Sequence, residues 1–344
     1  MLLVWTGFIL FIILLLLLDL GILNRRPHAI SMREAMRWSA LWIALGVAFC
    51  FVIYDGYAHH RFGQGAWPDA IDGRLNDGPT AAAKYLAGYV LEKALSVDNL
   101  FVIAVIFRFL AVPAEQQHRV LLWGILGAMV MRGLMIGVGV ELIRHYHWVL
   151  YVFGGFLLLT GLRLLILPEH PPDPAHNIIV RLARRFLPLT PRYHGGRFLT
   201  WENGRRVLTP LALALVLIET GDAVFAVDSI PAVFGVTADP LLVYTSNIMA
   251  LLGLRALYFA LAGLLDRFHY LKVSLALILL LVGGKMLASH WIHPLLGQYA
   301  VLVLLGLVAL VLGAGVVASL AFPSTRKDIA PVPNTPAETT AAGS

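Results

Sequence analysis

Nine stretches of this chain are long and apolar enough to be read as membrane spans, and that restricts the fold more than any other feature. A bilayer's hydrocarbon core is about 30 Å thick, so a helix needs about 20 largely apolar residues to cross it. The spans fall at about 2–23, 38–54, 81–107, 120–141, 148–167, 207–235, 241–263, 270–289 and 298–322. The second is short and the third opens on polar residues. Composition agrees: 59% of residues are hydrophobic and 13% charged, against about 25% charged in soluble proteins. The fold predicted is an all-α polytopic membrane protein.

Lys and Arg in the connecting segments set the expected orientation. Arg25, Arg26, Arg33 and Arg37 lie in 24–37, Arg108 and Arg119 in 108–119, seven arginines in 168–206, Arg267 in 264–269, and Arg326 and Lys327 in the tail. These are alternate segments, so they belong on one side. The opposite segments hold only Arg61, Arg74 and Arg144, and 55–80 is rich in Asp55, Asp69, Asp72 and Asp77. The expectation is an N-terminus outside and a C-terminus in the cytoplasm of a cell inner (plasma) membrane protein. The net charge of +6 is therefore topology and asks for no nucleic acid. Residues 2–23 lack the basic start and small-x-small site of a cleaved signal and read as a first span. Cys50 is the single cysteine, which excludes an internal disulfide or a multi-cysteine metal site.

Against this apolar background, Ile218–Pro231 holds Glu219, Asp222 and Asp228. An acidic side chain at bilayer depth costs about 2.5–3.5 kcal/mol on insertion scales, so such residues read first as a functional site. Residues 92–102 hold an echo, with Glu92 and Asp98 at the same spacing of six as Asp222 and Asp228. Arg132 then answers Arg255, and Leu159–Leu165 with Arg163 answers Leu281–Leu287 with Lys285. Each half is three spans, an odd number, so the second copy enters the membrane inverted, as in many secondary transporters. The domains expected are an N-terminal pair with its outer loop (1–80), a first repeat (81–167), a basic cytoplasmic loop (168–206), an inverted second repeat (207–289), a final helix (290–322) and a disordered tail (323–344).

On a regular helix Asp222 and Asp228 stand about 240° apart, and Glu219 and Asp228 about 180°. Convergence on one ion therefore needs an unwound turn or a second helix. Gly221 supplies backbone freedom, and Pro231 frees the carbonyl of Val227, so a break near Asp228 is expected. The candidate ligands Glu92, Asp98, Asn99, Glu219, Asp222, Asp228 and Ser229 offer only oxygen, which suits hard divalent cations such as Mn²⁺, Mg²⁺ or Ca²⁺. Sodium or protons remain open. The rival reading is mutual neutralisation, with the five acids facing Lys93, Arg132, Arg163, Arg255 and Lys285. Buried pairs of that kind add little net stability. Asn247, with Ser246, is placed to reach the site.

Several residues read more plainly. Asp19 is expected to snorkel at the cytoplasmic interface, and His59, His60, His145, His147, His290 and His293 to sit solvated in outer loops. Gly124, Gly127, Gly133, Gly137 and Gly154 are expected to allow close helix packing. Residues 178–187 have the pattern of a short basic amphipathic helix on the membrane surface. No P-loop motif is present, and no paired nucleophile and base or zinc-type histidine motif suggests an enzyme.

The two acidic motifs, together with Ser246–Phe259 and Gly284–Leu287, resemble the signatures of the TerC family of membrane proteins, most of all its Alx-type branch. The resemblance covers about residues 1–322. It implies membership of the LysE-like transporter group and export of Mn²⁺ from the cytoplasm, with the motif acids as metal sites and no organic cofactor. Gly221 departs from the pattern, where Ser or Ala is more usual. The leading expectation is a secondary exporter of Mn²⁺. The alternative is a membrane-embedded metal-delivery or assembly partner that docks other proteins through 168–206 without net transport. Glu219 has no counterpart in the first motif, and is expected to be an asymmetric ligand or a proton carrier.

Overall fold

The computed structural model describes residues 2–23, 32–167, 188–202, 204–261 and 270–322. Helices dominate it: α1 (Leu2–Leu23), α2 (Met32–Ala58), α3 (Gly78–Phe109), α4 (Ala114–His145), α5 (Val149–Ile166), α6 (Pro210–Phe234), α7 (Pro240–Leu251), α8 (Leu254–Leu261), α9 (Tyr270–Leu287), α10 (Ser289–Leu296) and α11 (Ala300–Ala321). By length and composition α1, α2, α4, α5, α6, α9 and α11 can each cross a membrane, and α7 with α8, bent by 40° at their break, are together apolar enough for a broken span or a re-entrant loop. Helix α3 has 32 residues but carries Lys84, Glu92, Lys93 and Asp98, too many charges to qualify on composition. The chain is an all-α polytopic membrane protein.

Helix starts follow local chemistry. The Asp77 side chain accepts from the Thr80 N–H to cap α3, and Asp239 accepts from the Leu241 N–H to cap α7, with proline in the first turn of each. Capping oxygens satisfy orphan donors there, and proline forfeits no bond. The break between α7 and α8 falls at Gly253, which has φ +77°, and a Cβ there would collide with Cβ of Trp42 on α2. Only glycine fits both the dihedral and the space.

Packing brings α3 against α6 and α7, and α6 against α4. Helices α5 and α9 cross most closely, because a Cβ added to Gly283 would lie 2.8 Å from the Gly154 carbonyl. Small residues allow that approach. Exchanging α3 with α6, α4 with α7 and α5 with α9 maps these principal contacts onto one another.

The structure amends several sequence boundaries. Helix α2 begins at Met32 rather than at 38. Segment 168–206 includes a strand, β1 (Leu199–Glu202), which pairs antiparallel with β2 (Arg205–Leu208), so the sixth span starts at Pro210 and not at 207. The loop expected at 290–297 is largely helix α10. Helix α6 runs unbroken past Gly221 and Pro231, so the expected break near Asp228 is absent. Pro231 lies in its last turn, where a lost ladder bond does not stop the helix. Arg25, Arg26, Arg267, the helix expected at 178–187 and the tail 323–344 lie outside the described residues.

Segment 59–77 clamps one end of the bundle. The fully buried Lys84 ammonium lies 2.8 Å from Asp69, 2.7 Å from Asp72 and 2.8 Å from Oδ1 of Asn76. Asp69 also accepts from the Thr237 hydroxyl and, at 2.9 Å, from the Ala238 N–H. Asp239 accepts from the Tyr57 hydroxyl at 2.8 Å. The turn between α6 and α7 is therefore tied to α2 and α3. Burial alone pushes the Asp69 carboxyl up, but the Lys84 charge and the three donors outweigh it and hold it below the ordinary carboxylate value.

Two outcomes follow. Lys84→Met takes the counter-charge from the buried Asp69 and the partly buried Asp72 and should cost about 3–5 kcal/mol of stability, read as a fall in the melting temperature of detergent-solubilised protein. Because the folded value of Asp69 is depressed, its contribution is present above the unfolded carboxylate value and is lost as pH falls through the folded one. The wild-type melting temperature should therefore show this loss only below about pH 4.

Candidate functional site

The core of the bundle is organised around a guanidinium. Arg132 on α4 is buried, and its donors reach three other helices. Nη1 donates to Oε1 of Glu92 on α3, to Oδ1 of Asn247 on α7 at 3.1 Å and to the Ser229 hydroxyl on α6 at 3.5 Å. Nη2 and Nε form a fork on Asp222 of α6, at 2.9 and 3.3 Å. Asn99 on α3 donates to the same Asp222 carboxylate at 2.9 Å. Planar bidentate pairing of this kind is what arginine provides and lysine does not.

Beside the guanidinium lies a cavity of about 40 Å³ whose polar lining includes Glu92, Asp98, Asn99, Arg132, Asp228 and Ser229. One buried water needs about 10–15 Å³ on this measure, so the space suits an ion or a few waters. Glu92 is fully buried and its Oε2 has no hydrogen-bond partner. An orphaned buried carboxylate oxygen costs about 1–3 kcal/mol or more and calls for an explanation. Asp228 accepts from the Thr160 hydroxyl of α5 at 3.4 Å, and the Arg163 charge, one turn further along α5, reaches it.

A second, more polar cavity of about 160 Å³ lies toward the clamped end, bordered by Asp72, Asp77, Thr80, Val236 and Lys285. A packed apolar layer separates the two. On α3, Ala87 and Leu91 fall between Thr80 and Leu95. On α6, Ala232 falls between Ser229 and Val236. On α9, Val282 falls between Leu279 and Lys285. All four layer residues belong to one buried cluster. These four side chains stand between the linings of the two cavities.

The candidate residues separate into groups. Glu92, Asp98, Asn99, Asp228 and Ser229 line the small cavity, and Asp222 lies behind it on Arg132. Among the described residues, no three His, Cys, Asp or Glu side chains are grouped closely enough to hold a metal ion. Glu219 stands apart: a Cβ at Gly127 of α4 would collide with its Oε1, an atom buried without a hydrogen-bond partner. Lys93 donates to the Ala250 carbonyl at 3.0 Å and Lys285 to the Gly235 carbonyl at 2.6 Å, so both ammonium groups serve helix ends. Asn247 reaches the cluster, whereas the Ser246 hydroxyl turns to the Val243 carbonyl.

Two sequence expectations change. Asp19 does not snorkel: it forms an ion pair of 2.7 Å with Arg255, and both side chains are largely buried. Arg255 is thereby directed to α1 and away from the acids of the repeat. Thr160 and Ser96, whose hydroxyl lies 3.5 Å from Glu92, are polar neighbours of the acids that the charge pattern alone does not single out. Each sits within a quoted motif, one turn from a charged residue. His59 and His145 are exposed beside Asp55 and Glu141, His145 as the last residue of α4 rather than in a loop.

Comparison with known proteins places this geometry in context. Residues 77–327 match the model of the integral membrane protein TerC family. An uncharacterized membrane protein of Myxococcus xanthus, STKORF319, is 45% identical over 316 residues, covering 92% of this chain and 91% of its own. The protein Alx of Escherichia coli (strain K12), whose name describes a membrane-bound redox modulator, is 41% identical over 292 residues, covering 85% and 87%. An uncharacterized membrane protein of Rickettsia bellii is 36% identical over 317 residues, covering 91% and 98%. No solved structure matches.

The sorting of charges yields a discriminating variant. Asp19→Ala leaves Arg255 buried without its carboxylate and should destabilise the protein by about 3–5 kcal/mol. It should leave the Arg132, Glu92 and Asp222 cluster intact, which a structure of the purified variant would check.

Proposed function

This chain belongs to the TerC family of integral membrane proteins, and from that premise we propose that it is a secondary transporter exporting a divalent cation, Mn²⁺ first among them, through the cavity between α3 and α6. The observation that carries the reading is the Glu92 carboxylate, fully buried at the cavity with Oε2 unpartnered. A cation arriving there satisfies that oxygen. Asp98, Asn99, Asp228 and Ser229 add further oxygen donors to the same wall, a set suited to Mn²⁺, Mg²⁺ or Ca²⁺ rather than to softer metals.

In this reading the N-terminus lies outside, the C-terminus lies in the cytoplasm, and the membrane is the cell inner membrane. Cytoplasmic ion enters the cavity and is released toward the segment 59–77 once the apolar layer parts. The reciprocal contacts of α3, α4 and α5 with α6, α7 and α9 suit rocking of two inverted halves. Carboxylates that release a cation can take up protons, so proton exchange is the drive assigned. Conversion of a substrate forms no part of this reading.

The redox role in the name of the Escherichia coli relative fits the same function indirectly. Cys50 is the chain's single cysteine and its thiol faces the Ala82 carbonyl at 3.5 Å, so no dithiol within the chain can cycle. A redox effect would then pass through the metal supply. The alternative of a metal-delivery or assembly partner using 168–206 predicts partner capture without flux.

Inverted vesicles carrying the purified protein should accumulate Mn²⁺. Asp98→Ala and Asp228→Ala should each lower uptake by at least about tenfold, since loss of even an outer-shell partner lowers metal affinity by about 10–100-fold. No accumulation by the wild type, or full uptake by both variants, would sink the transporter reading.

A further inference from the structure

The Arg132 guanidinium already occupies a cationic position in the cluster. Every acceptor it engages is a side-chain oxygen, from Glu92, Asp222, Ser229 and Asn247. Three of those four residues belong to the candidate ligand set. Glu92 and Asp222 are held by one positive charge between them, so exchange of that charge for a divalent ion would balance the two carboxylates. The arginine cannot discharge, since its guanidinium stays protonated in proteins, and an arginine displaced in the bundle interior needs another acceptor.

The structure holds one within reach. Gly124 lies against Ile218, Gly127 against Glu219 and Gly139 against Phe234, so α4 and α6 run side by side in the same direction. Glu219 precedes Asp222 by three residues on α6, about 4.5 Å along the axis, and Gly127 precedes Arg132 by five on α4, about 7.5 Å. Its Oε1 is buried and has no hydrogen-bond partner. No side chain of Gly127 stands in the way, and any Cβ there would collide with the Glu219 carboxylate.

We propose that Arg132 is a tethered stand-in for the transported cation, which alternates between the Glu92–Asp222 pair when the site is empty and Glu219 when an ion takes its place. This rests on the reading of the cavity as a cation site. Arg132 and Glu219 then act as positioning residues: they set how tightly the ion is held and permit its release, because the returning guanidinium expels it. A shift of Arg132 along the α4–α6 seam also links ion occupancy to α3 and α7, whose Glu92 and Asn247 it lets go.

The test is a double-mutant cycle on full-length protein in nanodiscs, reading Mn²⁺ affinity by calorimetry and Mn²⁺ uptake in inverted vesicles. Arg132→Gln removes the competitor and should tighten binding by about tenfold or more while slowing uptake, a split that simple loss of structure does not give. Glu219→Gln, which leaves the Arg132 cluster intact and protects the test from misfolding of the first variant, should weaken binding by about tenfold. In the Arg132→Gln background the Glu219 change should have no further effect, because no guanidinium remains to be received. Additive effects of the two substitutions, an unchanged affinity in Glu219→Gln, or weaker binding in folded Arg132→Gln would overturn the proposal while leaving the transporter reading intact. Wild-type protein that binds no Mn²⁺ would overturn both.

Discussion

A guanidinium buried between two carboxylates is the interaction on which the rest of this bundle depends. Arg132, Glu92 and Asp222 are each removed from water, and placing such groups in a low-dielectric interior is unfavourable unless each charge meets its partner in good geometry. The geometry here requires α3, α4, α6 and α7 to present their residues at one level. A sliding of any of the four along its axis would strand a charge in the apolar core. Packing alone imposes no such penalty, because lipid tails are as apolar as the leucines they would replace.

The ends of the bundle are fixed by other means. Segment 59–77 folds back so that Lys84, Asp69 and Asn76 tie the α6–α7 turn to the start of α3. Lys285 closes the end of α6 through the Gly235 carbonyl, a favourable place for a cation because helix C-termini carry partial negative charge. Between this clamp and the small cavity lies the layer of Ala87, Leu91, Ala232 and Val282. Helices α5 and α9 approach closely at Gly154 and Gly283, where the absence of side chains permits it. The fold thus has a polar centre, an apolar seal and a polar anteroom in series along α3, α6 and α9.

The residues that most suggest a helix break in the sequence are not the ones at which a helix breaks. Pro231 and Gly221 advertise a break in α6, yet the helix passes through both, because its last turn tolerates a proline and a lone helical glycine costs only about 1 kcal/mol. The break lies instead at Gly253, where the bulk of Trp42 on another helix leaves no room for a side chain. Arg255 matched Arg132 in the motif order, but the structure gives it to Asp19 of α1. Sequence order cannot reveal that a residue 236 positions away supplies the counter-charge.

The apolar runs, the alternating basic segments and the spacing of the acids were enough to determine an all-α membrane protein and to single out Glu92, Asp98, Asp222 and Asp228. Hydrophobic length and the expense of buried charge are local properties, so they can be read from one chain without coordinates. The angular separation of Glu219, Asp222 and Asp228 was also fixed by helix geometry, and the three do point to different neighbours: Gly127, Arg132 and Thr160. Which neighbour each one meets was decided only by tertiary packing. Two carboxylates of equal rank in the sequence became an arginine clamp at Asp222 and a cavity wall at Asp228, and Glu219 was left with a buried, unpartnered oxygen. Ion pairs are chosen by distance in space, and that is set by how helices cross.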